Sequence, residues 1–96
     1  MRVTYNALVQ QDVNRILKRY DGISVKLGDA FWDELNSKIA ATAKDRGHSH
    51  PAGGDFRRVN LSRFPYHFLF RTLPGRIRVI VVRHHKRHPA CGRNRR

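Results

Sequence analysis

The sequence predicts an α+β domain: a helical hairpin packed on a small antiparallel sheet, in the order β-α-α-β-β-β. Three observations predict it. Apolar residues between positions 9 and 43 recur at helical spacing, in two blocks split by Asp21-Gly22. From Phe56 onward the apolar period changes to two. A Gly- and Pro-containing stretch at 47–55 and the pair Pro74-Gly75 separate the blocks. The 96 residues, 40% of them hydrophobic, suit a single domain, 1–96, with a modest core.

Val3 and Tyr5 alternate with Arg2 and Thr4, which reads as a short edge strand. Asn6 can cap a following helix. Val9, Val13, Ile16, Leu17 and Tyr20 line one face of that helix. Leu27, Phe31, Leu35, Ile39 and Ala43 recur every fourth residue, so a second helix runs to about Arg46. Residues 47–55 read as a loop and Phe56–Leu61 as a strand, with Val59 and Leu61 on one face. Phe64-Pro65 breaks that run, because proline cannot donate to a central ladder. Tyr66, Phe68 and Phe70 mark the next strand. Ile77 to Val82 is apolar on both faces, as a central strand must be. Gly92–Arg96 reads as a flexible tail.

The formal charge of +13 is unevenly placed. Residues 1–48 carry 8 Lys/Arg against 6 Asp/Glu, whereas residues 49–96 carry 12 against the single Asp55. Such a half is suited to a polyanion, since neutralising phosphates releases condensed counterions. A membrane partner is disfavoured: the basic residues fall on strands and a tail, and no apolar run is long enough to span a bilayer. A lone cysteine excludes an internal disulfide framework and is compatible with a reducing cytosol, so a cytoplasmic protein is expected.

Three constellations could carry chemistry. The first is the run Arg83-His84-His85-Lys86-Arg87-His88, directly after the core strand. Crowded cations favour the neutral imidazole, which can take a proton, while Lys or Arg stabilises an anionic phosphorane. Metal-free RNA cleavage needs little more. The alternative is a solvated basic tail that merely holds phosphate. The second is a cationic plate of Arg57, Arg58, Arg63, Arg71, Arg76 and Arg78, with Tyr66 available to stack a base. Against this, the arginines can be the wet side of an amphipathic sheet, and Tyr66 is better read as core. The third is His85-x-x-His88-x-x-Cys91, a poor metal set, since positive surroundings oppose a dication. The single carboxylate of the basic half excludes a two-metal nuclease, and no Gly-rich phosphate loop occurs, so neither metal nor cofactor is expected.

The element order, the run Phe64-Pro65-Tyr66-His67-Phe68-Leu69-Phe70-Arg71 and the ending His84-x-x-Arg87-x-Pro89 resemble the RelE/ParE family of toxins from type II toxin–antitoxin (plasmid stabilisation) systems. The likeness covers most of the chain. It implies a growth-inhibiting toxin held in check by a cognate antitoxin. RelE-like members cut messenger RNA on the ribosome, and ParE-like members poison DNA gyrase without being nucleases. Metal-independent cleavage of ribosome-bound mRNA is the leading expectation, with gyrase inhibition as the alternative. On the first, His84, His85, His88 and Arg87 are the catalytic candidates. Arg57, Arg58, His67, Arg71, Arg83 and Lys86 are the nucleic-acid-binding candidates. The chain departs from the family at Cys91-Gly92, where an aromatic residue is common.

Overall fold

The computed structural model describes residues 1–96. Strand β1 (Arg2–Tyr5) leads into helices α1 (Val9–Asp21) and α2 (Val25–Lys44). A 3-10 turn at Arg46–His48 follows, then strands β2 (His50–Pro51), β3 (Phe56–Asn60), β4 (Tyr66–Leu73) and β5 (Arg76–His84). The sheet order is β1-β5-β4-β3-β2. The β-α-α-β-β-β order and the α+β class are as the sequence predicts, with the short β2 added.

Two details differ from expectation. The sheet is mixed: β2 to β5 pair antiparallel, but β1 pairs parallel with β5, Val3 opposite Ile77 and Tyr5 opposite Val79. Period-two patterning gives a strand its two faces and says nothing of its direction. Asn6 does not cap α1 directly. Its Oδ1 accepts from Leu8 N at 2.9 Å and its carbonyl from Val9 N at 3.0 Å, so it closes a turn just before the helix. At α2 the cap is regular, with Ser24 Oγ accepting from Leu27 N at 3.1 Å.

The helical hairpin covers one face of the sheet. Val9, Val13 and Ile16 of α1 and Phe31, Leu35, Ile39 and Ala43 of α2 meet Tyr66, Phe68, Phe70, Ile77, Val79 and Val82. Burying each Val, Leu, Ile or Phe among them contributes about 1.5–3 kcal/mol. At one end Tyr20, Phe31, Phe64 and Tyr66 form an aromatic cluster with ring centroids 5.0–6.1 Å apart. Glu34 of α2 ties down the adjacent β3–β4 loop by accepting from Ser62 N and Arg63 N, both at 3.0 Å.

The other face of the sheet is partly covered by the carboxyl-terminal segment. Leu69 and Val81 are buried there, opposite the main core. Gly92 lies on Val81 with φ of +80°, and a Cβ added to it would sit 2.7 Å from Val81 Cβ. Only glycine meets both demands without strain. Arg93 stacks on Phe56 at 4.9 Å from the ring centroid and donates to the Ala52 carbonyl. Arg95 reaches Asp12 of α1 at 2.7 Å.

The Arg95–Asp12 pair closes an edge. β1 pairs only with Arg76–Val79 of β5, so Ile80 onward lacks a neighbouring strand on that side. Val82 N donates to Asp12 Oδ2 at 3.1 Å, and Ile80 O accepts from Arg95 Nη1 at 3.2 Å. Side chains thus satisfy backbone groups that would otherwise template a foreign strand.

Candidate nucleic-acid interface

Alternation along β4 and β5 sends His67 and Arg83 to the face opposite the helices, His85 just past β5 joins them, and β3 adds Arg58 beside them. The four side chains form one hydrogen-bonded chain. Arg83 Nε donates to His67 Nε2 at 2.8 Å. Because guanidinium only donates, His67 Nε2 must be the bare nitrogen and its proton must sit on Nδ1. His67 Nδ1 lies 2.9 Å from His85 Nδ1, which therefore accepts. Arg58 Nη2, at 3.2 Å, converges on the same His85 nitrogen. The His85 proton is thus on Nε2, and the ring offers an N–H from an exposed side chain. The two imidazoles stack with centroids 5.2 Å apart and planes 9° from parallel.

Burial and charge hold the His67 ring neutral and lower the proton affinity of His85. Desolvation, then the nearby Arg58 and Arg83 guanidinium groups, push the His67 pKa down to about 3. His85 is also lowered, first by desolvation against its neighbour, then by Arg58 and His84. Arg83 is buried and its own pKa is lowered by desolvation. Its Nη1 donates to the carbonyls of Pro89 at 2.8 Å and Cys91 at 2.7 Å, with His88 O at 3.5 Å. Arg83 therefore joins the histidine chain to the carboxyl-terminal turn.

The remaining predicted residues fall in other places. His84 points to the helix side, edge-on to Tyr66 at 5.1 Å between centroids. Its Nδ1 accepts from Lys86 N at 3.0 Å, as His88 Nδ1 accepts from Ala90 N at 3.0 Å. Lys86, Arg87 and His88 are exposed at the turn beyond β5. Arg57 holds the turn before β2, donating from Nη2 to Ser49 O at 2.7 Å and from Nε to Ser49 Oγ at 2.5 Å. Arg71 lies near the other end of β4, paired with Asp55 at 2.7 Å. That hydrogen bond is the first cause of a lowered Asp55 pKa. Tyr66 is core, 5% exposed, and offers no stacking platform. No group of three or more His, Cys, Asp or Glu side chains is gathered as a metal set. The proposed plate of arginines is thus divided, because successive strand residues such as Arg57 and Arg58 face opposite ways.

Sequence reasoning did not find Asp12, Arg15, Arg19 or Arg95. Together with His84, Lys86 and Arg87 they line a cleft of about 640 Å³ between α1 and the end of β5. On α1, Arg15 and Arg19 share one face through their i, i+4 spacing, the only signal the sequence held.

Chemically, the end of the sheet is an array of donors. Each of His84, His85 and His88 spends Nδ1 as an acceptor, so a neutral ring presents Nε2–H. Such an array suits a phosphate or a developing oxyanion. No helix is long and apolar enough to cross a membrane.

No family model matches the chain. No curated protein matches it either. Among solved structures, a chain of the chromosomal ParDE TA system from P. aeruginosa is similar at 16% identity and a TM-score of 0.76, over 88% of this chain and 95% of that one. The α+β architecture described above is therefore a fold shared with a protein of a toxin–antitoxin (TA) system.

Proposed function

We propose that the chain is the toxin component of a type II toxin–antitoxin module and inhibits growth by metal-independent cleavage of ribosome-bound mRNA. The observation that carries this reading is the Arg83–His67–His85 chain of hydrogen bonds. It holds an exposed imidazole N–H beside Arg58. The fold shared with a ParDE-system chain supports the toxin role.

In such a cleavage the 2′-oxygen attacks the adjacent phosphorus and the bond to the 5′-oxygen breaks. Charge builds on the non-bridging oxygens meanwhile. Arg58 and His85 Nε2–H supply donors to that charge, and Lys86 and Arg87 hold the neighbouring phosphate. His84 and His88 are the proton carriers: one takes the 2′ proton and the other gives its Nε2 proton to the departing 5′-oxygen. Their Nδ1 atoms bond only backbone amides of an exposed turn, which water can replace when the ring takes the 2′ proton. Arg83 and His67 are positioning residues in this scheme, and Arg57 and Arg71 serve the sheet.

The cognate antitoxin is expected to present an amphipathic acidic segment. Acidic side chains would meet the cationic surfaces. Its apolar side fits the 380 Å³ groove lined by Tyr5, Val9, Trp32 and Leu35.

One observation favours a second reading, non-catalytic inhibition of DNA gyrase. Both proton carriers, and His85 with them, have the nitrogen that could serve as a base engaged by an N–H donor. An inhibitor acting through surface contacts needs no base.

Inducible expression tests the site. The wild-type chain is expected to arrest growth, and His85→Ala or Arg87→Ala to relieve it while folding and antitoxin binding persist. Loss of one such donor corresponds to about 10²–10³ in rate. Full toxicity in both variants would refute the assignment.

A further inference from the structure

We propose that the cleft between α1 and the end of β5 is a second phosphate-binding station, which takes the backbone of the same nucleic-acid strand beyond the His85–Arg58 station. The proposal rests on the nucleic-acid reading of the sheet's end and extends it to residues of α1 and the carboxyl terminus.

Six Lys/Arg side chains and one carboxylate line the cleft, a net of five positive charges. The carboxylate, Asp12, is already consumed. Its Oδ1 accepts from Arg15 at 3.0 Å and Arg95 at 3.1 Å, and its Oδ2 from Arg95 at 2.7 Å and Val82 N at 3.1 Å. With 3% exposure it is closed to any further cation. Arg19, Lys86 and Arg87 have no ion-pair partner, and Arg15 keeps 67% of its side chain exposed. Uncompensated cations gathered in a concave site call for an anion.

The lining chooses among anions. Its hydrophobic members include Ile16, Tyr66, Val81 and Val82, all 7% exposed or less because they belong to the interior. Apart from the spent Asp12, every charged side chain in the wall is a cation. An amphipathic peptide would find no apolar row for its nonpolar side, whereas a phosphodiester backbone needs none. Continuity points the same way. His84 lines this cleft, and the next residue, His85, lies on the opposite face beside Arg58. A linear chain of phosphates crossing the end of β5 meets donors on both sides of the strand.

The test is equilibrium binding of a fluorescein-labelled ten-nucleotide RNA across a salt series, with the wild-type chain and the Arg15→Gln/Arg19→Gln double variant. Both positions are exposed on α1, and thermal unfolding confirms that the variant is folded. Arg58→Gln serves as the marker of the first station. The double variant is expected to bind about tenfold more weakly. Its slope of log K against log salt should be shallower by about 0.7 for each phosphate no longer neutralised. If the double variant matches wild type while Arg58→Gln weakens binding, the cleft assignment is overturned and the sheet-end reading stands. If wild type shows no salt-steep binding, both fall. If a ten-residue oligoglutamate binds as tightly as the RNA and is weakened as much in the double variant, the nucleic-acid assignment is overturned in favour of an acidic polypeptide.

Discussion

Replacing Asp12 with Ala is expected to destabilise the protein by about 3–5 kcal/mol, because it leaves a cation without its buried partner. The carboxylate is 3% exposed and Arg95 is 14% exposed at its side chain, so neither is well solvated. The same substitution strips the Val82 amide of its acceptor at the unpaired edge of β5. A chain of this size has about 5–15 kcal/mol of stability in total, so the loss is a large share. The Arg95 pKa is raised first by its hydrogen bond to Asp12, which agrees in sign with a stabilising pair. Urea unfolding measures the loss, and hydrogen exchange at the Val82 amide should accelerate with it. A change below about 1 kcal/mol would mean that the Asp12–Arg95 pair contributes little to the fold.

Acidification is the second large effect. The His67 pKa lies near 3 in the folded chain against 6.5 for the free group. The unfolded chain therefore binds more protons between these values, and stability rises with pH across that window. The contribution of His67 is fully present above pH 6.5 and is lost as pH falls towards about 3. The loss is on the order of a few kcal/mol. It should show as a falling urea midpoint between pH 7 and pH 4. His67→Gln keeps an acceptor for Arg83 Nε but does not titrate, so the midpoint of that variant should depend less on pH. An unchanged pH dependence in His67→Gln would contradict the neutral, buried imidazole.

The parts legible in the sequence are those set by periodicity. The stripe Phe31, Leu35, Ile39 and Ala43 is buried as its spacing of four requires. Phe68 and Phe70 enter the core, and β5 is central in the sheet. The direction of β1 is not legible, since alternation is the same read either way. Nor is β2, whose two residues are too few for any period. Basic character at the end of β5 is visible, but its internal order is not. Arg83 stands in a run of cations, yet its burial follows from carbonyls five to eight residues further on that fold back over Val81. Asp12 and Arg95 are 83 residues apart, and composition offers nothing to pair them. Arg71 separates from the site only once Asp55 is seen beside it, although Asp55 is the lone acid of the basic half.

The central claim is that the donor array at the end of the sheet acts on RNA. The most direct measurement is primer extension on a reporter transcript after induction of the chain, with supercoiling by purified gyrase assayed alongside. Cleavage within the translated message, absent in His85→Ala, with supercoiling unaffected, is the predicted result. Intact message together with blocked supercoiling would contradict it.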